Sequence, residues 1–543
     1  MRLLLLLVVG GIGAAVAAWG LPRGGRRAQI GALVGVVALV AVTGDAFLLR
    51  PARLTDTGQP ITGVFDSHLV TTVYLRLVVG LWGLMSLVLL CTAWLLGGLA
   101  RLRGLLPATL AAMTGGTVAM SSADLALGAA AAAATGLASL IVILAAEGPA
   151  AVAAAARELR VTLAGGAVLL ASLAVVPIAT HLALLQTGVG LDETAEAAGG
   201  VASPLLGLVA LAVSLVVAGR WGMLPFHVRV SRLTDLVPPE TIPLLLAWVA
   251  VPLTVVTFAM VDRLIAPLAL PLDGERLILV LLAVMTLTGA SFAAFFHDDL
   301  RHAVGYLVVA DAGLLLLAIA ALDPEAWGPG RAWVVALAAS KTALGAWSAV
   351  TEDRFETRSI PDLRGWVRRS PLLAAGLAAA AFATFGVPGW VAFDARTSLA
   401  TLVTDAPWDA LLILAGFLTL PTYLRLLAVG LGGVTSKVDR ATPEHLSLRP
   451  RPQELLPVEL EGPDVGTATG DTRAAMGAAA EVPAAATAVG RRFVAGLRRN
   501  RTELLSGTVV ALAILAVLTS YGALDLADAA AEPAPILLGR DSD

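Results

Sequence analysis

Apolar runs long enough to cross a bilayer recur along almost the whole chain, separated by short polar connections. A helical span needs roughly 20 apolar residues, and by that rule the pattern predicts about fourteen membrane helices. They fall at about 3–19, 29–49, 69–98, 105–121, 123–145, 160–186, 203–224, 241–265, 276–296, 301–322, 330–350, 370–403, 408–433 and 504–523. The predicted fold class is therefore an all-α polytopic membrane protein. The first run is preceded by Arg2 alone, and Arg23, Arg26 and Arg27 follow it, so it reads as a membrane helix and not as a cleaved leader.

The connections carry a second pattern. Basic residues crowd those after helix one (Arg23, Arg26, Arg27), three (Arg101, Arg103), five (Arg157, Arg160) and seven (Arg229, Arg232). They recur after helix eleven (Arg354, Arg358, Arg364, Arg368, Arg369) and thirteen (Lys437, Arg440, Arg449, Arg451). The alternate connections hold Arg50, Arg53, Arg263, Arg276 and Arg331. The positive-inside rule then places the odd-numbered connections in the cytoplasm and both termini outside, as in a multi-pass protein of the inner membrane. Residues 434–502 form one long polar insertion, rich in Pro, Ala, Gly and acids at first and basic at 491–501. It reads as a cytoplasmic loop, partly disordered or amphipathic, and its composition suits a passive tether better than a functional element.

Composition narrows the class. The chain of 543 residues is 58% hydrophobic and 14% charged, with a mean hydropathy of +0.85, whereas soluble domains carry about 25% charged residues. Net charge is −3, and no basic block suggests nucleic acid. The single cysteine, Cys91, rules out an internal disulfide and stands near no metal-ligand cluster. A Walker loop, a dinucleotide fingerprint and a hydrolase elbow are all missing, so no cofactor and no redox centre is expected in this chain.

Two predicted helices are interrupted by glycine and proline: 219–225 (GRWGMLP) and 385–390 (FGVPGW). Proline removes a backbone donor and glycine loosens the helix, so both should break at membrane depth. Breaks at corresponding places in two halves point to a transporter built from inverted repeats. The expected division is 1–104 as an N-terminal three-helix segment, 105–265 and 266–433 as two five-helix repeats, 434–502 as the loop, and 503–543 as a last helix with an external tail. Four charges, Arg220, Asp311, Lys341 and Arg396, sit inside otherwise apolar spans. Each costs about 2.5 to 3.5 kcal/mol at the bilayer centre, so the four together mark a hydrophilic path for ions or protons. A kink with a snorkelling arginine would account for one such site, but less easily for two.

The stretch 221–227 (WGMLPFH) resembles the antiporter-like subunits of respiratory complex I and the related Mrp-type cation/proton antiporters. Further stretches look similar and come in that family's order: 298–313 (DDLRHAVGYLVVADAG), 338–349 (AASKTALGAWSA), 360–371 (IPDLRGWVRRSP) and 386–396 (GVPGWVAFDAR). The likeness covers roughly residues 60–430 and implies a fourteen-helix core with broken seventh and twelfth helices. It also implies a proton, or Na⁺/H⁺, pathway along a midplane polar axis. The implied partners are other membrane subunits of a complex I-like, hydrogenase-like or Mrp-like assembly, in which redox chemistry would belong to a partner.

Carried across by position, the family's seventh-helix Lys falls on Arg220, its tenth-helix polar residue on Asp311, its eleventh-helix Lys on Lys341 and its twelfth-helix Lys on Arg396. The family's fifth-helix Glu has no match, because its place near Ala133 lies in an alanine tract. Asp124 and Glu147 flank that helix but read as interfacial. Arginine stays charged where lysine releases a proton, so Arg220 and Arg396 can anchor but not shuttle. Asp311 and Lys341 remain as the titratable pair, either a proton relay or a static pair that fixes helix packing. His227 stands where it could relay protons or merely end a helix. The polar knot of His297, Asp298, Asp299, Arg301 and His302 reads as a loop cap, and Arg76 as snorkelling. Two other readings stay open: a non-pumping structural or coupling subunit, and a stand-alone small-anion transporter suggested by arginine at both breaks.

Overall fold

The structure, a computed structural model, describes residues 2–48, 69–187, 202–266, 272–404, 407–432, 500–523 and 525–532. The loop expected over 434–502 lies almost wholly outside them, as do Arg50, Arg53 and Lys437. The chain divides into a helical body, Met1–Leu431 with Leu505–Asp543, and a separate unit, Gly432–Leu504.

Among the described residues, regular structure is helical, with two isolated bridges, Leu69 to Ser122 and Asp299 to Ser359. Ten helices among the described residues are long and apolar enough to cross a membrane, and three shorter apolar ones run over Leu7–Arg23, Leu205–Trp221 and Pro371–Phe385. The chain is thus a polytopic membrane protein. Polar side chains set several helix starts: Thr72 accepts from the Leu75 amide, Asp124 from Leu127, and Asp299 from Arg301 and His302. Each satisfies a donor that the first turn would otherwise leave open. Asp299 is therefore the cap that its position suggested.

The elements used below are α1 (Leu125–Thr135), α2 (Ala138–Leu144), α3 (Gly148–Thr187), α4 (Ala202–Trp221), α5 (Val228–Leu236), α6 (Val251–Leu264), α7 (Asp273–Phe296), α8 (Leu300–Ala321), α9 (Trp327–Phe355), α10 (Pro371–Phe385), α11 (Val391–Thr401), α12 (Trp408–Gly416) and α13 (Leu420–Leu431). Three spans form the centre of the bundle: Pro239–Leu264, which ends in α6, then α8, and Pro324–Phe355, which contains α9. Their apolar lengths are wholly buried, whereas the outer α3 and α7 leave much of theirs uncovered. Lipid offers no hydrogen bonds, so polar side chains can sit at membrane depth only where protein surrounds them. The central three satisfy that condition.

Helical form stops at both glycine–proline clusters. α4 ends at Trp221, Gly222 has φ +71° and the chain turns back into helix at Val228. α10 ends at Phe385, Gly386 has φ +68° and helix resumes at Val391. A side chain at either glycine would be strained and would also collide, with Val230 at 2.6 Å or with the Phe393 amide at 2.8 Å.

Two local readings are corrected. The helix expected over 160–186 begins at Gly148, because Pro149 suits a first turn and the alanines that follow are the best helix formers. Arg157 and Arg160 therefore lie on a helix and not in a connection. The span expected as regular helix over 241–265 contains a π segment at Leu244–Trp248. Pro252 has no amide to return to the Trp248 carbonyl, and the wider turn absorbs that break in the ladder.

Candidate functional site

The four intramembrane charges do not form one chain of contacts. They divide into two clusters, each made of one carboxylate between two cations.

The first cluster is centred on Glu158, in the upstream extension of α3 that hydropathy had assigned to a connection. Its side chain is 4% exposed. Arg220, in the last turn of α4, donates to Glu158 Oε1 at 2.5 Å and to Ser139 Oγ at 2.6 Å. It also reaches the Gly136 carbonyl at 3.2 Å, where α1 gives way to α2. Arg229 of α5 grips the other side of the carboxylate, Nε to Oε2 at 2.9 Å and Nη2 to Oε1 at 2.8 Å. Such forked guanidinium–carboxylate contacts are among the strongest that side chains make. The Arg220 Nε has no partner among the described residues. Beside this cluster lies an apolar groove of about 350 Å³, lined by Ala132, Ala133, Gly165 and Gly166 among others.

The second cluster is centred on Asp311 of α8, which with Lys341 of α9 and Arg396 of α11 is fully buried. Lys341 Nζ donates directly to Asp311 Oδ2, and to the Tyr423 hydroxyl at 3.1 Å. Thr419 donates to Asp311 Oδ1 at 3.2 Å, and the Tyr423 hydroxyl lies 3.3 Å from Thr384 Oγ1. Arg396 Nη2 stands 3.7 Å from Asp311 Oδ1. Its guanidinium is enclosed by aromatic faces, 4.6 Å from the Trp333 ring, 5.0 Å from Phe417 and 5.4 Å from Phe385. Those faces stabilise a cation that has left water.

The two clusters share a device at the helix breaks. Arg229, after the first break, donates to the carbonyl of Arg220 before it, at 2.5 Å. Arg396, after the second break, donates to the carbonyl of Thr384 before it, at 2.8 Å. The Thr384 carbonyl would normally be met by residue 388, which is proline and has no amide. Each arginine thus satisfies an acceptor that the break has orphaned. By this role the counterpart of Arg396 is Arg229, not Arg220.

The expected site residues are therefore placed as follows. Asp311, Lys341 and Arg396 meet. Arg220 does not join them; its bonding partners among the described residues are Glu158, Ser139, Thr162 and Gly136. His227 is half-buried beside the first break, its Nδ1 unpartnered, and it enters neither cluster. Asp124 caps α1, and Glu147 pairs with Arg103 in an exposed position. Between the clusters runs the span Pro239–Leu264, which touches both neighbourhoods. Trp221, next to Arg220, donates to Thr254 at 2.9 Å, and Trp248 donates to Thr342, next to Lys341, at 2.8 Å. Glu158, Arg229, Tyr423, Thr419 and Thr384 were not singled out from sequence. A signal for Glu158 existed, since it is a lone carboxylate in an alanine-rich run one helical turn before Thr162.

Comparison with known proteins agrees with this architecture. Curated relatives include NADH-quinone oxidoreductase subunit N of Nitrosomonas europaea, 28% identical over 143 residues, covering 26% of this chain and 30% of that protein. The subunit N of Halorhodospira halophila is 29% identical over 247 residues, covering 44% of this chain and 50% of that protein. The chain thus matches half or less of the length of these relatives. Among solved structures, a chain of the Mrp complex from Dietzia sp. DQ12-45-1b superposes with TM-score 0.60 at 19% identity, over 81% of this chain and 48% of that one. A chain of respiratory complex I from Thermus thermophilus superposes with TM-score 0.58 at 17% identity, over 95% and 99%. At such identities the likeness is one of fold. Residues 122–422, more than half of the sequence and inclusive of the charged residues of both clusters, match the family described as "NADH:quinone oxidoreductase/Mrp antiporter, TM", and the chain belongs to that family.

Proposed function

We propose that this chain is an antiporter-like subunit of a complex I-type or Mrp-type membrane assembly, and that it moves protons through the cluster around Asp311 and Lys341. The observation that carries this reading is the fully buried Asp311–Lys341 pair, with Tyr423, Thr384 and Thr419 bonded around it. Lysine, aspartate and hydroxyls can each give and take a proton, and three of these groups are already in bonding contact. Fourteen crossings in two inverted five-helix repeats, with both termini outside the inner membrane, belong to the same proposal. So do the other membrane subunits as partners. Exchange of Na⁺ for H⁺ is the variant in which the same pair binds a cation in place of one proton.

The anion-transporter reading loses its support, because the terminal nitrogens of Arg220 are bonded to Glu158, Ser139 and the Gly136 carbonyl, and those of Arg396 to the Thr384 and Gly416 carbonyls. The scaffold reading is favoured by one observation: every charge in both clusters already has a partner of opposite sign. Proton flux into reconstituted vesicles separates the two. Asp311→Asn or Lys341→Ala should lower flux at least tenfold while the chain still inserts and folds. Unchanged flux in either variant would eliminate the transport reading.

A further inference from the structure

A polar hollow of about 350 Å³ opens at the end of the bundle where α9 leaves the buried core. Arg101, Glu240, Glu352, Asp353, Glu356 and Arg358 line it, four carboxylates against two guanidiniums. Glu240 is the unusual member. Its side chain is 0% exposed, Oε1 accepts from Arg101 at 2.9 Å, and Oε2 is buried with no partner among the described residues. A half-satisfied buried carboxylate is costly, and the uncommitted oxygen is where a proton would sit.

α9 leads from this hollow to the second cluster. Lys341, Gly345, Ser348 and Glu352 follow one another at spacings of four, three and four, so they share one face of the helix. At about 1.5 Å per residue, Ser348 stands roughly 6 Å along the axis from Glu352 and roughly 10 Å from Lys341. Gly345 is the contact point for the segment that carries Glu240: a Cβ there would lie 2.4 Å from Pro243 Cγ and 3.4 Å from the Pro239 carbonyl. The Glu240 segment therefore lies directly against the stripe that ends at Lys341.

Two hydroxyls on this part of α9 are unspent. Ser348 Oγ and Thr351 Oγ1 are buried without a partner among the described residues. Most buried hydroxyls in the bundle return a bond to their own helix, as Thr342 does to Ala338, Thr254 to Ala250 and Thr286 to Leu282. A hydroxyl can accept on one side and donate on the other, which an ammonium or a guanidinium cannot.

We propose that the Glu240 hollow is a proton-uptake vestibule, from which protons pass by Thr351 and Ser348 to the Lys341–Asp311 pair. This rests on the function proposed above and adds to it a place of uptake. A proton from water bonds to the free Glu240 oxygen and leaves to a hydroxyl lone pair. Each hydroxyl takes one proton and releases its own to a water molecule, which carries it onward, since neither hydroxyl bonds Glu240 or Lys341 directly and roughly 10 Å of helix separates Ser348 from Lys341. Lys341 accepts as the neutral amine, once its earlier proton has moved on through the Asp311 side. No electron moves and no other bond changes.

The test is proton flux in vesicles holding the full chain, driven by a potassium diffusion potential and read with an internal pH dye. Glu240→Gln and the double variant Ser348→Ala, Thr351→Val are compared with wild type and with Asp311→Asn. Both new variants should lose at least tenfold in flux. Glu240→Asp, which keeps a carboxylate, should restore part of it and move the flux-against-pH curve. The double variant removes no buried charge, so it answers even where Glu240→Gln fails to fold. Near-normal flux in the double variant, with Asp311→Asn inactive, overturns the vestibule and leaves the proposed function standing. Normal flux in Asp311→Asn, or none in wild type, overturns both.

Discussion

The cluster around Glu158 and the cluster around Asp311 have the same charge plan, one carboxylate between two cations, and differ in what those cations can do. In the first both are guanidiniums, which stay charged at any physiological pH. In the second one is Lys341, in contact with Asp311 and Tyr423. The surroundings differ as well. Asp311, Lys341 and Arg396 are sealed by protein, whereas Arg229 keeps 11% of its side chain exposed and an apolar groove borders Arg220. The comparison teaches that charge placement and charge mobility are separate properties. Both clusters hold a broken helix together; the second, with a lysine in place of a guanidinium, is the one to which the proposed function assigns proton transfer.

The largest effects should therefore come from splitting the Asp311–Lys341 pair. Lys341→Met leaves a buried aspartate with Arg396 at longer range, and breaking a buried pair costs about 3 to 5 kcal/mol. Chemical denaturation in detergent should show that loss, and vesicle flux should vanish with it. Adding Asp311→Asn should recover much of the stability, because no lone charge remains, and should recover none of the flux. A double variant that conducts would erase the distinction between the clusters.

Glu158→Gln comes next. Two guanidiniums lose their shared counter-charge, at a cost of about 3 kcal/mol, towards the lower end for a buried pair because Arg229 can still reach water. Flux per folded molecule should change less than twofold. A flux loss as large as that of Lys341→Met would show that the first cluster also carries protons, with Glu158 as their carrier.

How far these clusters were legible in the sequence follows from what hydropathy measures. It reads length and apolarity, so it marked the spans and, with Gly222, Gly386, Pro225 and Pro388, the two breaks. Isolated charges in such runs stand out, and Asp311, Lys341 and Arg396 were found and do meet. Glu158 was hidden for the same reason: one carboxylate among Arg157, Arg160 and alanines lowers local hydropathy to that of a loop. Helix propensity, which runs the other way there, decided the outcome. Arg229 was hidden because its partners are the carboxylate of Glu158, itself hidden and 71 residues upstream, and a backbone carbonyl freed by the break, which no side-chain pattern reports. Tyr423 and Thr419 lie far along the chain from Lys341 and Asp311, and their convergence is a property of the fold alone.

The helix-break contacts give a smaller test. Arg229→Lys and Arg396→Lys keep the charge but lose the fork that holds a carbonyl and a carboxylate together. Each should cost about 1 to 2 kcal/mol, the value of a charge-assisted hydrogen bond with its acceptor left open. The cost should be greater for Arg396, whose three aromatic contacts favour a planar guanidinium. Equal costs would show that the aromatic enclosure adds nothing beyond the staple.

The smallest effect belongs outside the membrane-spanning part, at His297 after α7. Burial, with His302 at 5.2 Å between ring centroids, holds His297 below the usual histidine range, against the opposing pull of Asp298 and Asp299. Its ring also stacks on Tyr306 at 5.3 Å. A depressed histidine favours the folded state while both states are neutral, above the unfolded value of about 6.5. As pH falls below that, the unfolded chain takes up the proton first, and the contribution is lost by the time the folded ring is protonated. Stability in detergent should thus decline gently from about pH 7 towards pH 5, and His297→Gln should flatten that part of the curve. A decline that persists unchanged in His297→Gln would show that the burial of this ring is not its cause.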